Sequence, residues 1–162
     1  MSWKVAIIGS KGRMGEALIA SAEKHGIEIA GAVDQGDDPI PAIEGCDAVI
    51  DFSFHKVTPF IAQLAAEKGK PLVIGTTGHS AEERDAILAH TQTIPIVWAG
   101  NFSTGVNILI YLTRKATEAT GDAFQTEIIE MHHRHKIDAP SGTAEGLIKA
   151  VREARGTPEN KV

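Results

Sequence analysis

The chain contains a single cysteine, Cys46, in 162 residues, so no internal disulfide can form. A reducing compartment is the expected home, and the lone thiol reads as a small buried apolar side chain. No apolar run approaches the length of a membrane span. Met1-Ser2-Trp3-Lys4 leads straight into a strand pattern, with nothing like a signal peptide ahead of it. Basic charge is also scarce. Lys and Arg number 16 against 21 Asp and Glu, a net charge of −5, which argues against a polyanion partner such as nucleic acid. There is no internal repeat and no low-complexity segment. What remains is a cytoplasmic globular protein without membrane or nucleic-acid partners. Its 43% hydrophobic and 23% charged content suits one good core and the beginning of a second unit.

Val5-Ala6-Ile7-Ile8 is a continuous apolar run ending at glycine, as expected of a strand buried on both faces. Gly9-Ser10-Lys11-Gly12-Arg13-Met14-Gly15 follows. Then come Glu16–His25 with apolar residues at helical spacing, and a second strand, Ile27–Val33, that stops at Asp34. Strand, glycine loop, helix, strand and acid make one βαβ unit. The usual G-x-G-x-x-G is not matched: aligned on Gly12 and Gly15, the first glycine position holds Ser10, and Gly9 lies one place earlier. Even so, Gly12 lets the backbone approach a pyrophosphate at a helix N-terminus. Asp34, 19 residues beyond Gly15, stands where a ribose hydroxyl is read. A purely structural turn is the plain alternative. A carboxylate at this position accepts from a 2′-OH and repels a 2′-phosphate. NADH is therefore the expected cofactor, with NADPH tolerated through Lys11 and Arg13.

Three more strands are expected at Ala48–Ser53, Pro71–Ile74 and Ile94–Ala99, alternating with helices His55–Lys68 and Ala81–Thr91. The loop Gly36–Gly45 carries no chemistry, and His55 reads as a water-exposed residue at a helix start. Gly75-Thr76-Thr77-Gly78 sets small hydroxyl residues at a carboxyl strand end, suited to close contact with ribose or nicotinamide. In the exit loop Gly100-Asn101-Phe102-Ser103, Asn101 either orients a carboxamide or makes an Asx-turn. Composition shifts near Phe102–Gly105, dividing a dinucleotide-binding domain, 1–103, from a partial substrate domain, 104–162. The fold class is α/β: a Rossmann-type doubly wound parallel sheet, then the start of a smaller α+β domain.

That second part reads as a helix Val106–Thr120 ended by Gly121, a strand Phe124–Met131, and a helix Thr143–Arg155. Between the last two, His132-His133-Arg134-His135-Lys136 crowds cationic residues that gain little from folding unless an anion sits among them. Downstream, Ser141 can cap, Gly142 lets a ligand approach, and the first N–H groups of the helix bind carboxylate or phosphate. Together they form a clamp for a small dianion, with His and Lys as proton donors. A solvated basic face is the commonplace alternative. No metal is expected: there is no H-E-x-x-H and no cysteine pair, and neighbouring histidines on a strand point opposite ways.

G-S-K-G-R-M-G, D-F-S, G-T-T-G, N-F-S-T-G-V-N and, above all, E-M-H-H-R-H-K-I-D-A-P-S-G-T-A resemble the dihydrodipicolinate reductase family over essentially the whole chain. That resemblance implies NAD(P)H-dependent reduction of dihydrodipicolinate to tetrahydrodipicolinate in lysine and diaminopimelate biosynthesis. His132 would be the catalytic acid/base and Lys136 a proton donor, with its pKa lowered by the surrounding cations. His133, Gly142 and Thr143 would hold the carboxylates of a small dicarboxylate substrate. Gly9, Ser10, Lys11, Gly12, Arg13, Met14, Asp34, Gly75, Thr76, Thr77, Ala99, Gly100, Asn101 and Phe102 would contact the dinucleotide. Family members continue well beyond this length, with strands that complete the substrate domain and build a homotetramer. Here the strand Phe124–Met131 is left with an exposed edge, and the tetramer is not expected of so short a chain. The chain is either a fragment or a protein that has lost its second domain. The rival function is a dinucleotide-binding module without turnover, which has no reason to keep His132, Lys136, Gly142 and Thr143 together.

Overall fold

The computed structural model describes residues 2–132, 134 and 140–157. The chain divides into two compact units, Met1–Gly100 and Asn101–Val162.

In the first unit, β1 (Lys4–Ile8), β2 (Glu28–Val33), β3 (Ala48–Asp51), β4 (Leu72–Ile74) and β5 (Ile96–Trp98) form one five-stranded sheet in the order β2-β1-β3-β4-β5. Every pairing is parallel. Parallel neighbours require crossovers. These are α1 (Arg13–Lys24), α2 (Ile40–Glu44), α3 (Thr58–Glu67) and α4 (Ala81–Leu88). The order reverses between β1 and β3, and their carboxyl ends flank the crevice where α/β sheets of this kind bind ligands. Val49, Leu72 and Ile74 of the sheet meet Ile43, Ile61 and Ile87 of the helices in a single core. Cys46 is buried there as expected, and burial pushes its thiol pKa up.

Element ends shift by one to three residues throughout, α1 beginning at Arg13 instead of Glu16 and α4 ending at Leu88 instead of Thr91, and three departures shape the site. Gly36–Gly45 is not all loop, because α2 forms within it and closes directly on β2. A Cβ on Gly31 would stand 2.3 Å from the Ala42 Cβ. The third strand ends at Asp51 instead of Ser53, since the Ser53 N–H leaves the ladder to donate to Asp51 Oδ1 and Thr76 Oγ1, both at 2.9 Å. Helix α3 begins at Thr58 instead of His55. Pro59 sits in its first turn, where a missing N–H costs nothing.

The second unit is built on α5 (Thr104–Thr120), a short 3-10 turn at Gly121–Ala123, and α6 (Gly142–Arg155). The Ser103 hydroxyl caps α5 by accepting from the Val106 N–H. Gly146 of α6 lets the Ile110 side chain of α5 lie close, within 3.0 Å of where a Cβ would be. The expected strand Phe124–Met131 is not formed. No described segment pairs with it, and a strand exists only through its ladder. Arg155 serves this stretch instead, donating to Phe124 O at 2.5 Å and Thr126 Oγ1 at 3.0 Å.

Ile61 is 1% exposed at the centre of the first unit. Ile61→Ala should lower the unfolding free energy by about 2–5 kcal/mol, measured by urea denaturation.

Candidate functional site

The site begins where β1 gives way to α1. Gly9 takes φ +84. Gly9 and Ser10 both donate their N–H groups to Val33 O, at 2.9 and 3.0 Å, tying the loop to the end of β2. A Cβ on Gly9 would lie 2.4 Å from Phe52 O, and one on Gly15 would lie 2.2 Å from Gly9 O. The tight turn is therefore made at Gly9, one place earlier than in the usual pattern, and Ser10 is buried behind it. Gly12 caps α1 with no side-chain bond, which leaves first-turn N–H groups open. Asp34 closes the loop from β2: Oδ2 accepts from the Lys11 N–H at 2.7 Å and Oδ1 from the Gln35 N–H at 2.8 Å. These two bonds, the Lys11 one foremost, hold its carboxyl pKa below the usual range. Gly9, Gly12, Asp34, Ser53, Phe54 and Phe60 line a cleft of about 650 Å³.

A second group gathers at the carboxyl ends of β4 and β5. The Phe52 ring lies over Gly75, where a Cβ would stand 2.1 Å from Phe52 Cε1. Thr76 is buried and bonded to Ser53. Ala99 N–H donates to Ile74 O at 3.1 Å, and Gly100 lies against Thr77. His55 is not the free, water-exposed residue the sequence suggested. It is half-buried in the turn before α3, and its Nδ1 meets Glu83 Oε2 at 2.8 Å. Glu83 in turn completes a capping box with Ser80 at the start of α4. His79 lies edge-on to Trp98, with ring centroids 4.9 Å apart, and its Nε2 is buried without a hydrogen-bond partner. Asp51, Ser53, Phe54, Phe60 and His79 were not foreseen as site residues. The D-F-S triplet was the visible signal for the first two, and the others needed the fold.

In the second unit, Asn101 Oδ1 accepts from the Ser103 N–H at 2.9 Å. The Asx-turn is thus realised, while Asn101 Nδ2 is buried without a partner. Ser141 caps α6 through the Ala144 N–H at 3.1 Å. The Glu130 carboxylate accepts from the Ser141 N–H at 2.9 Å and from its hydroxyl at 2.5 Å, and lies 3.6 Å from His132 Nδ1. Gly142 is exposed and Thr143 half-buried in the first turn of α6. Arg134 is exposed. His133 and Lys136 lie outside the described residues. Among the described residues no group of three His, Cys, Asp or Glu is arranged to hold a metal ion, and no helix is long and apolar enough to cross a membrane.

A parallel β2-β1-β3-β4-β5 sheet with a glycine turn after its first strand places the molecule among the α/β proteins of Rossmann-like, nucleotide-binding architecture. Two family models then account for nearly every residue: dihydrodipicolinate reductase, N-terminus, over 3–102, and dihydrodipicolinate reductase, C-terminus, over 105–162. The chain belongs to the dihydrodipicolinate reductase family. A 4-hydroxy-tetrahydrodipicolinate reductase of Akkermansia muciniphila is 47% identical over 144 residues, covering 88% of this chain and 58% of that protein. One from Halorhodospira halophila is 40% identical, over 96% of this chain and 67% of its own length. The chain thus spans between about half and two thirds of the curated relatives it matches. A solved dihydrodipicolinate reductase from Paenisporosarcina sp. TG-14, with dipicolinate bound, superposes with a TM-score of 0.69 at 26% identity, covering 100% of this chain and 72% of that one.

Burial holds the His79 imidazole pKa below its ordinary value of 6.5. The unfolded chain binds that proton more readily, so the stability His79 confers is complete above its unfolded pKa and is lost as pH falls toward the folded one. Acidification from about pH 7.5 to about pH 5 should lower the thermal midpoint, and His79→Phe should flatten that dependence. An unchanged slope in the variant would assign the effect to other groups.

Proposed function

We propose that this chain is an NAD(P)H-dependent reductase of dihydrodipicolinate, named 4-hydroxy-tetrahydrodipicolinate in its relatives, serving lysine and diaminopimelate biosynthesis. The observation that carries the reading is the pairing of an uncapped α1 N-terminus with the Asp34 carboxylate, in a chain whose relatives are such reductases. The fit to a dinucleotide is good. A Cβ on Gly12 would press to 3.3 Å from Gly9 O, a crowding that glycine avoids at the helix start where a phosphate would approach. The residues Gly9–Met14 would hold the pyrophosphate and Asp34 the adenosine ribose. Gly75–Thr77 and Ala99–Phe102 would hold the nicotinamide half, where Asn101 Nδ2 is an unused donor. When bound, the reduced nicotinamide supplies the hydride.

The protein's own residues supply the rest. His132 would act as acid/base and Lys136 as proton donor, offsetting the negative charge that develops on the ring. His133 and the Gly142 and Thr143 N–H groups would fix the two carboxylates of the substrate, the N-terminus of α6 adding its dipole. Glu130 orders that helix end through Ser141 and sets an acidic partner beside His132. NADH should be preferred, because the Asp34 carboxylate repels a 2′-phosphate. The Lys11 amine beside Asp34 leaves room for NADPH.

Isothermal titration with NADH, then with NADH plus pyridine-2,6-dicarboxylate, tests the reading. Binding of both supports the reductase. Binding of NADH alone would leave only a dinucleotide-binding module. Asp34→Ala should weaken NADH more than NADPH; equal losses would show that the acid does not read the ribose. Lys136→Ala should cut turnover by about 10²–10⁴-fold with NADH affinity near normal, and an undiminished rate would remove Lys136 from the chemistry.

A further inference from the structure

Asp51 is a wholly buried carboxyl group at the end of the central strand β3, and neither the glycine loop nor the cationic cluster accounts for it. Its Oδ1 collects three donors: the Ser53 N–H at 2.9 Å, the Ser53 hydroxyl at 2.5 Å and the Thr76 hydroxyl at 3.3 Å. Its Oδ2 is buried without a partner. A carboxylate accepts and does not donate. The Ser53 proton is therefore drawn inward to the carboxylate, the Thr76 proton is shared between Asp51 Oδ1 and the Asp51 backbone O at 3.4 Å, and the hydroxyl oxygens are left as acceptors. Thr76 Oγ1 spends one lone pair on the Ser53 N–H at 2.9 Å and keeps the other. Ser53 lines the cleft beside Gly9, Gly12 and Asp34, and Thr76 belongs to the Gly75–Gly78 loop.

We propose that Asp51 is a positioning residue that fixes the Ser53 and Thr76 hydroxyls as hydrogen-bond acceptors for the hydroxyl and amide donors of a bound dinucleotide. The assignment rests on the dinucleotide reading above. A neutral side chain of the same shape cannot do the same work. In Asp51→Asn, an amide NH2 turned toward Ser53 and Thr76 would donate to both oxygens and push their protons outward, converting acceptors into donors. If the amide oxygen stays in place instead, its NH2 lands where Oδ2 was, a buried donor without a partner. Either arrangement weakens a ligand rich in hydroxyl donors.

The test is a mutant cycle read by isothermal titration of the whole 162-residue protein with NADH. Asp51→Asn should weaken NADH by about tenfold or more, the scale of a hydrogen bond to a charged group. The Ser53→Ala/Thr76→Val double variant should lose affinity to a similar degree. Adding Asp51→Asn to that double variant should cost nothing further, because the groups through which Asp51 acts are gone. A further loss of the same size would mean that Asp51 acts on the fold at large and would overturn the proposal. Should Asp51→Asn fail to fold by circular dichroism, the single variants decide: NADH bound as tightly by both Ser53→Ala and Thr76→Val as by the parent would also overturn it. Failure of the parent protein to bind NADH would sink the dinucleotide reading itself. Binding by the parent with an unaffected Asp51→Asn would sink only the role of Asp51.

Discussion

The passage of Phe52 between two glycines governs the first unit. Its carbonyl occupies the space a side chain on Gly9 would need, and its ring occupies the space a side chain on Gly75 would need. The loops that leave β1 and β4 are thereby seated against the same residue, which itself follows β3. Flanking residues lock the arrangement. Phe52 N–H donates to Ile8 O at 3.0 Å, and Gly75 N–H donates to Asp51 O at 2.9 Å. A parallel sheet gathers its carboxyl ends on one side of the molecule. Here one residue converts that general property into a fixed spacing between two glycine loops.

Much of this was legible in the chain. The run Val5–Ile8, the glycine loop, the second strand and Asp34 announce a βαβ unit and with it the parallel sheet, while the family follows from the resemblance of whole motifs, Glu130–Ala144 above all. The displaced first glycine was also visible, although only the contact with Phe52 explains why it stands at position 9. What could not be read is cooperative. Helix α2 is a single turn and a half, too short for its periodicity to stand out among Pro39, Pro41 and neighbouring acids. The partnership of His55 with Glu83 joins residues 28 positions apart, and no local pattern encodes it. Asp51 lies inside the expected strand Ala48–Ser53, and nothing in its neighbours marks a carboxyl group as wholly buried.

The second unit shows a different limit. Alternation along Phe124–Met131 records a disposition to form a strand, and a disposition becomes a strand only when a neighbour completes the ladder. The helix start after Pro140 was read correctly, with Ser141 as its cap. Yet no local pattern shows that Glu130, 11 residues earlier, takes both the amide and the hydroxyl of that cap. The helix end that attracts anions thus already holds one carboxylate from its own chain, and a second must use the donors that remain.

Helix α2 lies closest on β2 where Gly31 faces Ala42. An alanine at 31 would bring two methyl carbons to 2.3 Å, well inside contact distance. Removing the methyl at 42 takes away that overlap and leaves the Cα of residue 42 at 3.0 Å. The two positions therefore form one packing slot with room for a single methyl. A survey of single substitutions would mark position 31 as closed to every side chain, while the exchange of Gly31 and Ala42 together removes the 2.3 Å overlap and leaves a tight 3.0 Å approach to the backbone at 42. The dependence runs one way: a side chain at 31 requires the loss of the methyl at 42, whereas glycine at 42 asks nothing of position 31.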